Sequence, residues 1–492
     1  MFWRVKPLDA IIAHAEKKSL HRSLGAFHLM MLGVGAIIGT GIFVLTAEAA
    51  QKAGPGMLLS FVIAGFVCAV TALCYSELAA MVPVSGSAYT YSYAVMGELV
   101  AWVVGWALIL EYAVAASAVS VGWSNYFVPL VETTFGIDIP FALSKGYFAG
   151  GFINLPAVFI AILVTSLLYI GTRESATVNA VLVVIKVIAL TLFCALALPV
   201  ANLQNFEPFA PLGMAGVSAA AGSIFFAYVG FDAVSTAAEE TRNPQRNVPL
   251  GLIGSLVICT VFYLLVSAGA IGTIGAQPVI DAAGHGLAPG SRELAAACQQ
   301  AANAGRLACS DEPLAFVLRE IGWPQVSRLI GLAAFLALPS VILIMLYGQT
   351  RIFFVMSRDR LLPEFLSRVH PRFHTPYVVT VITGAVVTLA SAFFPVGQLA
   401  DVSNTGTLFA FMTVAVGVLI LRRTEPDRPR AFRTPGVWIV GPLAIFGSMY
   451  LFASLSLFTQ MLFVGWAVIG LVVYLSYGYR RSPFATGEDL NG

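Results

Sequence analysis

Charge is scarce in this chain. Only 11% of its 492 residues are Asp, Glu, Lys or Arg, against roughly 25% in soluble domains. The polar linkers that divide a soluble chain of this length into domains are missing as well. No Gly-Lys-Ser/Thr phosphate loop is present, which argues against ATP-driven work. The six histidines (His14, His21, His28, His285, His370 and His374) fall at termini, loops or span edges. None of them sits with acids in a metal-type cluster inside a span, so neither a metal site nor an embedded metalloenzyme is expected, and no cofactor is called for. A net charge of +2 gives no reason to expect a nucleic-acid partner. The first 24 residues are polar and basic rather than an apolar stretch with a cleavage site, so the first span is expected to stay in the mature protein.

What the chain has instead is apolar length. Hydrophobic residues make up 58% of it, and apolar blocks of 20 or more residues recur from Phe27 to Tyr477. About 20 such residues cross a bilayer as a helix. Barrel strands are much shorter, so the class is an all-α polytopic membrane protein. Twelve spans are expected near 27–50, 56–81, 95–126, 151–171, 177–199, 213–239, 248–271, 325–357, 376–394, 398–421, 435–459 and 461–479. Gly54-Pro55-Gly56, Asn243-Pro244 and Thr434-Pro435-Gly436 mark turns between them. With the N-terminus inside, 20 of the 27 Lys and Arg fall on inner segments and six on outer ones. That bias places both termini in the cytoplasm. The longest polar insert, 272–324, is then outside. It holds Cys298 and Cys309, whose pairing spacing alone leaves open. Cys68, Cys74, Cys194 and Cys259 read as apolar filler within spans.

The first span carries four glycines in nine residues, Gly33, Gly35, Gly39 and Gly41. Gly35 and Gly39 fit a small-xxx-small packing pattern, whereas Gly39-Thr40-Gly41 favours a break in the helix. The sixth span has a central Gly230 flanked by aromatics and followed by Asp232. Interruptions in spans one and six point to a five-plus-five inverted repeat, with the last two spans accessory. The expected divisions are a cytoplasmic segment 1–26, a first repeat 27–199, a second repeat 213–421 including the insert, accessory spans 435–479 and a tail 480–492. A broken helix presents amides to anions and carbonyls to cations. Two such breaks at mid-membrane suit a zwitterion such as a free amino acid.

Lys186 stands about nine residues inside the fifth span, roughly 13 Å deep at 1.5 Å per residue. A lysine near the bilayer centre costs at least about 2.5 kcal/mol. Proton coupling, an interhelical tether and snorkelling to the interface are the readings open to it. Glu111, in the third span, reads as a proton partner, a structural acceptor or a gate element. Asp232 reads as an N-terminal cap for the inner half of the sixth span. Glu77, Glu239 and Glu240 read as solvated or gate-forming at the inner membrane edge.

Gly35-Ala36-Ile37-Ile38-Gly39-Thr40-Gly41-Ile42-Phe43 resembles the first-span signature of the amino acid–polyamine–organocation (APC) superfamily, and so does Pro83-Val84-Ser85-Gly86-Ser87-Ala88-Tyr89-Thr90-Tyr91. Gly230-Phe231-Asp232, Glu239-Glu240-Thr241-Arg242-Asn243-Pro244-Gln245-Arg246, Tyr347-Gly348-Gln349-Thr350-Arg351 and Met356-Ser357-Arg358-Asp359-Arg360-Leu361-Leu362-Pro363 resemble the bacterial branch of the cationic amino acid transporter family. The likeness covers nearly the whole chain. It implies the LeuT fold and proton-coupled transport without enzymatic chemistry. On the same ground Ile38, Gly39, Thr40 and Gly41 would offer amides to a substrate carboxylate. Phe226, Ala227 and Val229 would offer carbonyls to its ammonium, with Phe226 also a gate. Lys186 and Glu111 would carry the proton coupling, Lys186 standing where sodium-coupled relatives bind their ion.

The insert 272–324 departs from the pattern, and so does Leu336-Ala337-Leu338-Pro339-Ser340. Leu338 is expected to face the substrate side chain and to favour small neutral amino acids such as alanine. Cationic amino acids rank second, because no acid is evidently placed to pair with their side chains. A sodium symporter is disfavoured by Lys186. A channel, a sensor on the same fold and a small membrane subunit remain open. The plasma membrane is the expected location.

Overall fold

In the computed structural model the chain is described over residues 24–82, 87–171, 176–238, 241–303, 305–373 and 375–482. Pro83–Gly86, Glu239, Glu240, His374 and both terminal segments lie outside the described residues. The described chain is helical and has no strand, only isolated bridges. Eight helices are long and apolar enough to cross a membrane, and four shorter apolar helices join them.

The first crossing is α1 (Ala26–Ile37), the single turn Thr40–Phe43 and α2 (Leu45–Ala53). Then come α3 (Met57–Met81), α4 (Ser87–Val95), α5 (Glu98–Phe135), α6 (Leu155–Ile170) and α7 (Ala176–Ala197). The sixth crossing is α8 (Gly213–Ile224), a 3-10 turn (Phe225–Tyr228) and the single turn Ala233–Thr236. The remainder are α9 (Pro244–Ile274), α10 (Pro324–Arg358), α11 (Tyr377–Phe393), α12 (Val396–Thr424), α13 (Val437–Ser454) and α14 (Leu457–Val473). The third crossing runs nine residues past its expected end and carries Pro129 without stopping.

Helix α3 lies against α9, α5 against both α10 and α12, α6 against α11, and α9 also against α1. Side chains such as Ile188, Leu389 and Phe446 are more than half exposed. An apolar surface of that kind is stable only against lipid.

Small residues set how closely the helices approach. A Cβ on Gly33 would meet Ser255 and Val234, and one on Gly35 would meet Val183 at 2.7 Å. These two glycines therefore serve packing, while Gly39 lies in a break. The four free cysteines are buried, as the sequence implies.

At one end of the bundle the Glu77 carboxylate accepts from Arg422 Nε at 2.7 Å and Nη2 at 2.8 Å, and from the Thr434 amide at 2.8 Å. Arg430 Nε is 3.0 Å away. Glu77 is 1% exposed. This corrects the reading of Glu77 as a solvated or gate-forming acid: it anchors the 425–436 segment to α3. Glu77→Ala would leave two guanidinium groups without their acid, and breaking a buried pair costs about 3–5 kcal/mol. We expect a clearly lower midpoint in thermal unfolding in detergent; an unchanged midpoint would show that water takes over the role of the acid.

The opposite end carries residues 275–323, called here the loop face. Gln51 stitches this segment to α2 by donating to Val279 O and Leu287 O at 2.8 and 2.9 Å and accepting from Val279 N at 2.8 Å. Within the loop, the amides of His285 and Ala283 hold the Asp281 carboxyl below its usual range. Burial raises Glu312, opposed by Arg319 at 2.8 Å. Cys298 and Cys309 are joined as a disulfide.

Candidate functional site

Helix α1 ends because Ile38 turns extended (φ −72°, ψ 98°) and Gly39 follows at φ −150°, ψ −148°. The helix restarts at Thr40, so the opening amides of that turn have no intrahelical acceptor. The Thr40 hydroxyl is buried and has no hydrogen-bond partner. In the sixth crossing Val229 is extended (φ −60°, ψ 137°) and Gly230 has φ +111°. Only glycine takes that backbone without strain.

The two breaks touch each other. A Cβ on Gly41 would lie within 2.9 Å of Ala227 N, and one on Gly230 would be 3.1 Å from Ala36 O. Ile38, Gly39, Thr40, Gly41, Phe226, Ala227 and Val229 are thereby brought to one buried junction. Gly122 of α5 backs Thr40, and Val341 of α10 stands 3.6 Å from where a Gly39 side chain would begin. Leu338 is fully buried one turn earlier on α10, on the Val341 face.

The carbonyls that end α1 are held by two long polar side chains. Lys186 Nζ donates to Gly35 O at 2.7 Å. Tyr263 Oη lies 2.9 Å from Ile37 O and 2.7 Å from Ala227 O, so one hydroxyl bridges both breaks. Sequence reasoning missed Tyr263, because a tyrosine in an apolar span carries no signal of what it will reach. Lys186 is 1% exposed and does not reach an interface, which removes snorkelling. Its charge is favoured at a helix C-terminus, where the exposed carbonyls carry partial negative charge. Of the carbonyls expected to face an ammonium, Phe226 O already accepts from Val229 N at 3.2 Å. Each carbonyl has a second lone pair.

Glu111 and Asp232 are both buried and close to each other, with Thr407 beside Glu111 and the Tyr112 hydroxyl on Asp232. Glu111 Oε2 has no hydrogen-bond partner. Asp232 does not cap the turn after it: its backbone is already helical, and its side chain accepts no capping bond. This corrects the capping expectation. The turn is too short to draw the side chain back, and Tyr112 supplies a donor instead.

Toward the loop face, Lys52 of α2 pairs with Asp401 of α12 at 3.1 Å and with Ser223 of α8, which also binds Asp401. Asn404 of α12 donates to Gly222 O at 2.8 Å. These contacts tie α2, α8 and α12 together between the junction and the loop face. Sequence reasoning missed this cluster too, since its members are up to 349 residues apart.

Two crossing helices, each broken at mid-bundle, with amide and carbonyl ends converging and a charged lock on one side, define the core of a secondary transporter. The chain belongs to the amino acid permease family of the APC superfamily, whose model matches residues 24–477. It is 45% identical to a branched-chain amino acid permease of Bacillus subtilis over 96% of this chain and 97% of the relative. It is 40% identical to a methylthioribose transporter of the same organism over 98% of both chains. It is 36% identical to cationic amino acid transporter 9 of Arabidopsis thaliana over 96% of this chain and 81% of the relative. It is a multi-pass membrane transporter for amino acids and not an enzyme.

Proposed function

We propose that the chain imports neutral aliphatic L-amino acids, branched-chain ones foremost, together with a proton across the plasma membrane. The loop face is outside and both termini are cytoplasmic. The observation that carries this reading is Val341, 3.6 Å from where a Gly39 side chain would begin; the buried Leu338, one turn away on α10, completes in this reading the apolar wall that the substrate side chain meets. The opening amides at Gly39, Thr40 and Gly41 bind the substrate carboxylate and the Thr40 hydroxyl adds a donor; the Ile38 amide, expected to join them, is instead spent on Val34 O at 2.9 Å as the last bond of α1. Phe226, Ala227 and Val229 supply carbonyls to the ammonium, with the Phe226 ring as gate. The alanine-sized cargo expected from Leu338 is widened here to branched side chains, because a branched-chain permease shares 45% of its residues with this chain.

Lys186 and Glu111 carry the proton in this reading. Protonated Lys186 holds the end of α1 through Gly35 O; deprotonated, it loses the charge–dipole attraction, and α1 is freer to move. The partnerless oxygen of Glu111 beside Asp232 is a second place for a proton, because two adjacent buried carboxylates resist ionising together. The Lys52–Asp401–Ser223 lock closes the outer path in this conformation, and alternating access requires it to open.

The purified protein in liposomes should take up labelled leucine, isoleucine and valine under an inward proton gradient. Arginine and methylthioribose should be poor cargoes, and a sodium gradient alone should drive nothing. Preferential arginine or methylthioribose uptake would replace the cargo, and sodium-driven uptake would replace the coupling ion.

A further inference from the structure

The two broken crossings begin with half-helices of the same make. Helices α1 and α8 each run for 12 residues and end on an isoleucine, Ile37 and Ile224, with a glycine two places earlier, Gly35 and Gly222. Helix α1 stops at an extended residue and α8 tightens into a 3-10 turn. Either change takes regular intrahelical donors from the last carbonyls, and buried carbonyls then need a partner from elsewhere. For α1 that partner is Lys186 of α7, which donates to Gly35 O at 2.7 Å. For α8 it is Asn404 of α12, whose Nδ2 donates to Gly222 O at 2.8 Å and to Ser223 O at 3.2 Å. The donors stand on the fifth and the tenth crossings, which the five-plus-five division makes counterparts. Each serves the glycine at the same place in its half-helix.

The contact settles which end of the Asn404 amide is which, because two carbonyl oxygens accept only from a donor. The side chain is fully buried, and its Oδ1 has no hydrogen-bond partner. A buried acceptor left unpaired is a net cost, and a leucine of nearly the same outline would avoid it. What the position gains from asparagine is therefore the amino group. One turn toward the loop face on α12, Asp401 is engaged by Lys52 and Ser223, and the neighbouring Ser403 donates to Glu111 O. The two tethers differ in one property: an ammonium can give up its proton in the working range, and a carboxamide cannot.

We infer that Asn404 is a positioning residue, the outer counterpart of Lys186, which holds the end of α8 through a bond that does not titrate. The carbonyls proposed to meet the substrate ammonium, at Phe226, Ala227 and Val229, follow this end directly, so the tether fixes where they stand. Coupling then acts through the inner half-helix alone: a proton leaving Lys186 frees α1, while α8 keeps its place whatever the pH. The inference deepens the proposed transport reading and rests on its cargo, its orientation and its coupling through Lys186.

Affinity and coupling should therefore separate in variants of this residue. The measurements are equilibrium binding of tritiated L-leucine to the full chain in lipid nanodiscs, and accumulation in liposomes under a proton gradient at saturating leucine. Asn404→Leu keeps the outline and loses the donor. It should bind leucine at least tenfold more weakly than wild type and still accumulate it, which also shows that the variant is folded. Asn404→Asp in acid buffer should bind as wild type does, because a buried carboxyl is then protonated and its hydroxyl donates to the same carbonyls. Wild-type affinity in Asn404→Leu overturns the inference. Equal weakening in Asn404→Leu and in Asn404→Asp in acid buffer assigns the loss to packing and overturns it too. Lost accumulation in Asn404→Leu at saturating leucine overturns the division of roles between the two tethers. In each of these outcomes the transport reading stands; absence of any leucine binding in wild type overturns the proposed cargo and this inference with it.

Discussion

Lys186→Ala should abolish uptake driven by a proton gradient while substrate exchange across the liposome membrane survives. Gradient-driven accumulation is expected to fall at least tenfold, to the level of passive equilibration. Lys186 is buried with its ammonium on Gly35 O, at the negative end of α1, where the break removes the intrahelical donors. In the proposed coupling, removing the charge removes the interaction through which a proton would act on α1. Exchange needs only the substrate site and the swing of the bundle, so it remains. Lys186→Arg separates coupling from tethering: guanidinium keeps the bond to Gly35 but does not titrate in the working range. It should therefore exchange normally and fail to concentrate substrate. Full gradient-driven uptake in Lys186→Arg would end the coupling role of this residue and leave it a tether.

Gly41→Val should eliminate leucine binding at the junction and all transport. The cause is contact with backbone, which cannot rotate away. Even the first carbon of a side chain would reach the Ala227 backbone nitrogen at 2.9 Å and its Cα more closely still. The two breaks would have to separate, and the amides and carbonyls would no longer converge on one ligand. The bundle itself should persist, since its mass is held by the pairings of α3 with α9 and α5 with α10. The measurements are counterflow exchange and the rise in melting temperature with leucine. Wild-type exchange in Gly41→Val would show that the breaks move apart during the cycle and that their contact here is incidental to binding.

Much of the fold is legible in the sequence. The spans announce themselves, because each must bring its own apolar length into lipid whatever its neighbours do. Both breaks are legible for a similar reason: Gly39-Thr40-Gly41 and Gly230 fail locally as helix. The insert 272–324 is legible as polar, outside the family pattern and holding two cysteines whose pairing spacing leaves open; the structure joins them. Its hold on the bundle depends on Gln51 reaching Val279 and Leu287 from another helix. Glu77 was misread because a carboxylate at a span edge looks solvated until Arg422, Arg430 and Thr434 fold over it. Asp232 was misread because its local position suits a cap, and the donor that outcompetes that cap, Tyr112, lies on a different helix.

The sequence by itself determined that this is a multi-pass helical transporter of the amino acid permease family, where its helices fail, and which charge is too deep to be accidental. Those are properties of hydropathy and local backbone preference, written residue by residue. Only the tertiary structure decided which partners meet: Gly41 with Ala227, Lys186 with Gly35, Tyr263 across both breaks, and Lys52 with Asp401. These pairs are separated by up to hundreds of residues, and a buried polar group in lipid takes whichever complementary group the packing brings within hydrogen-bonding distance.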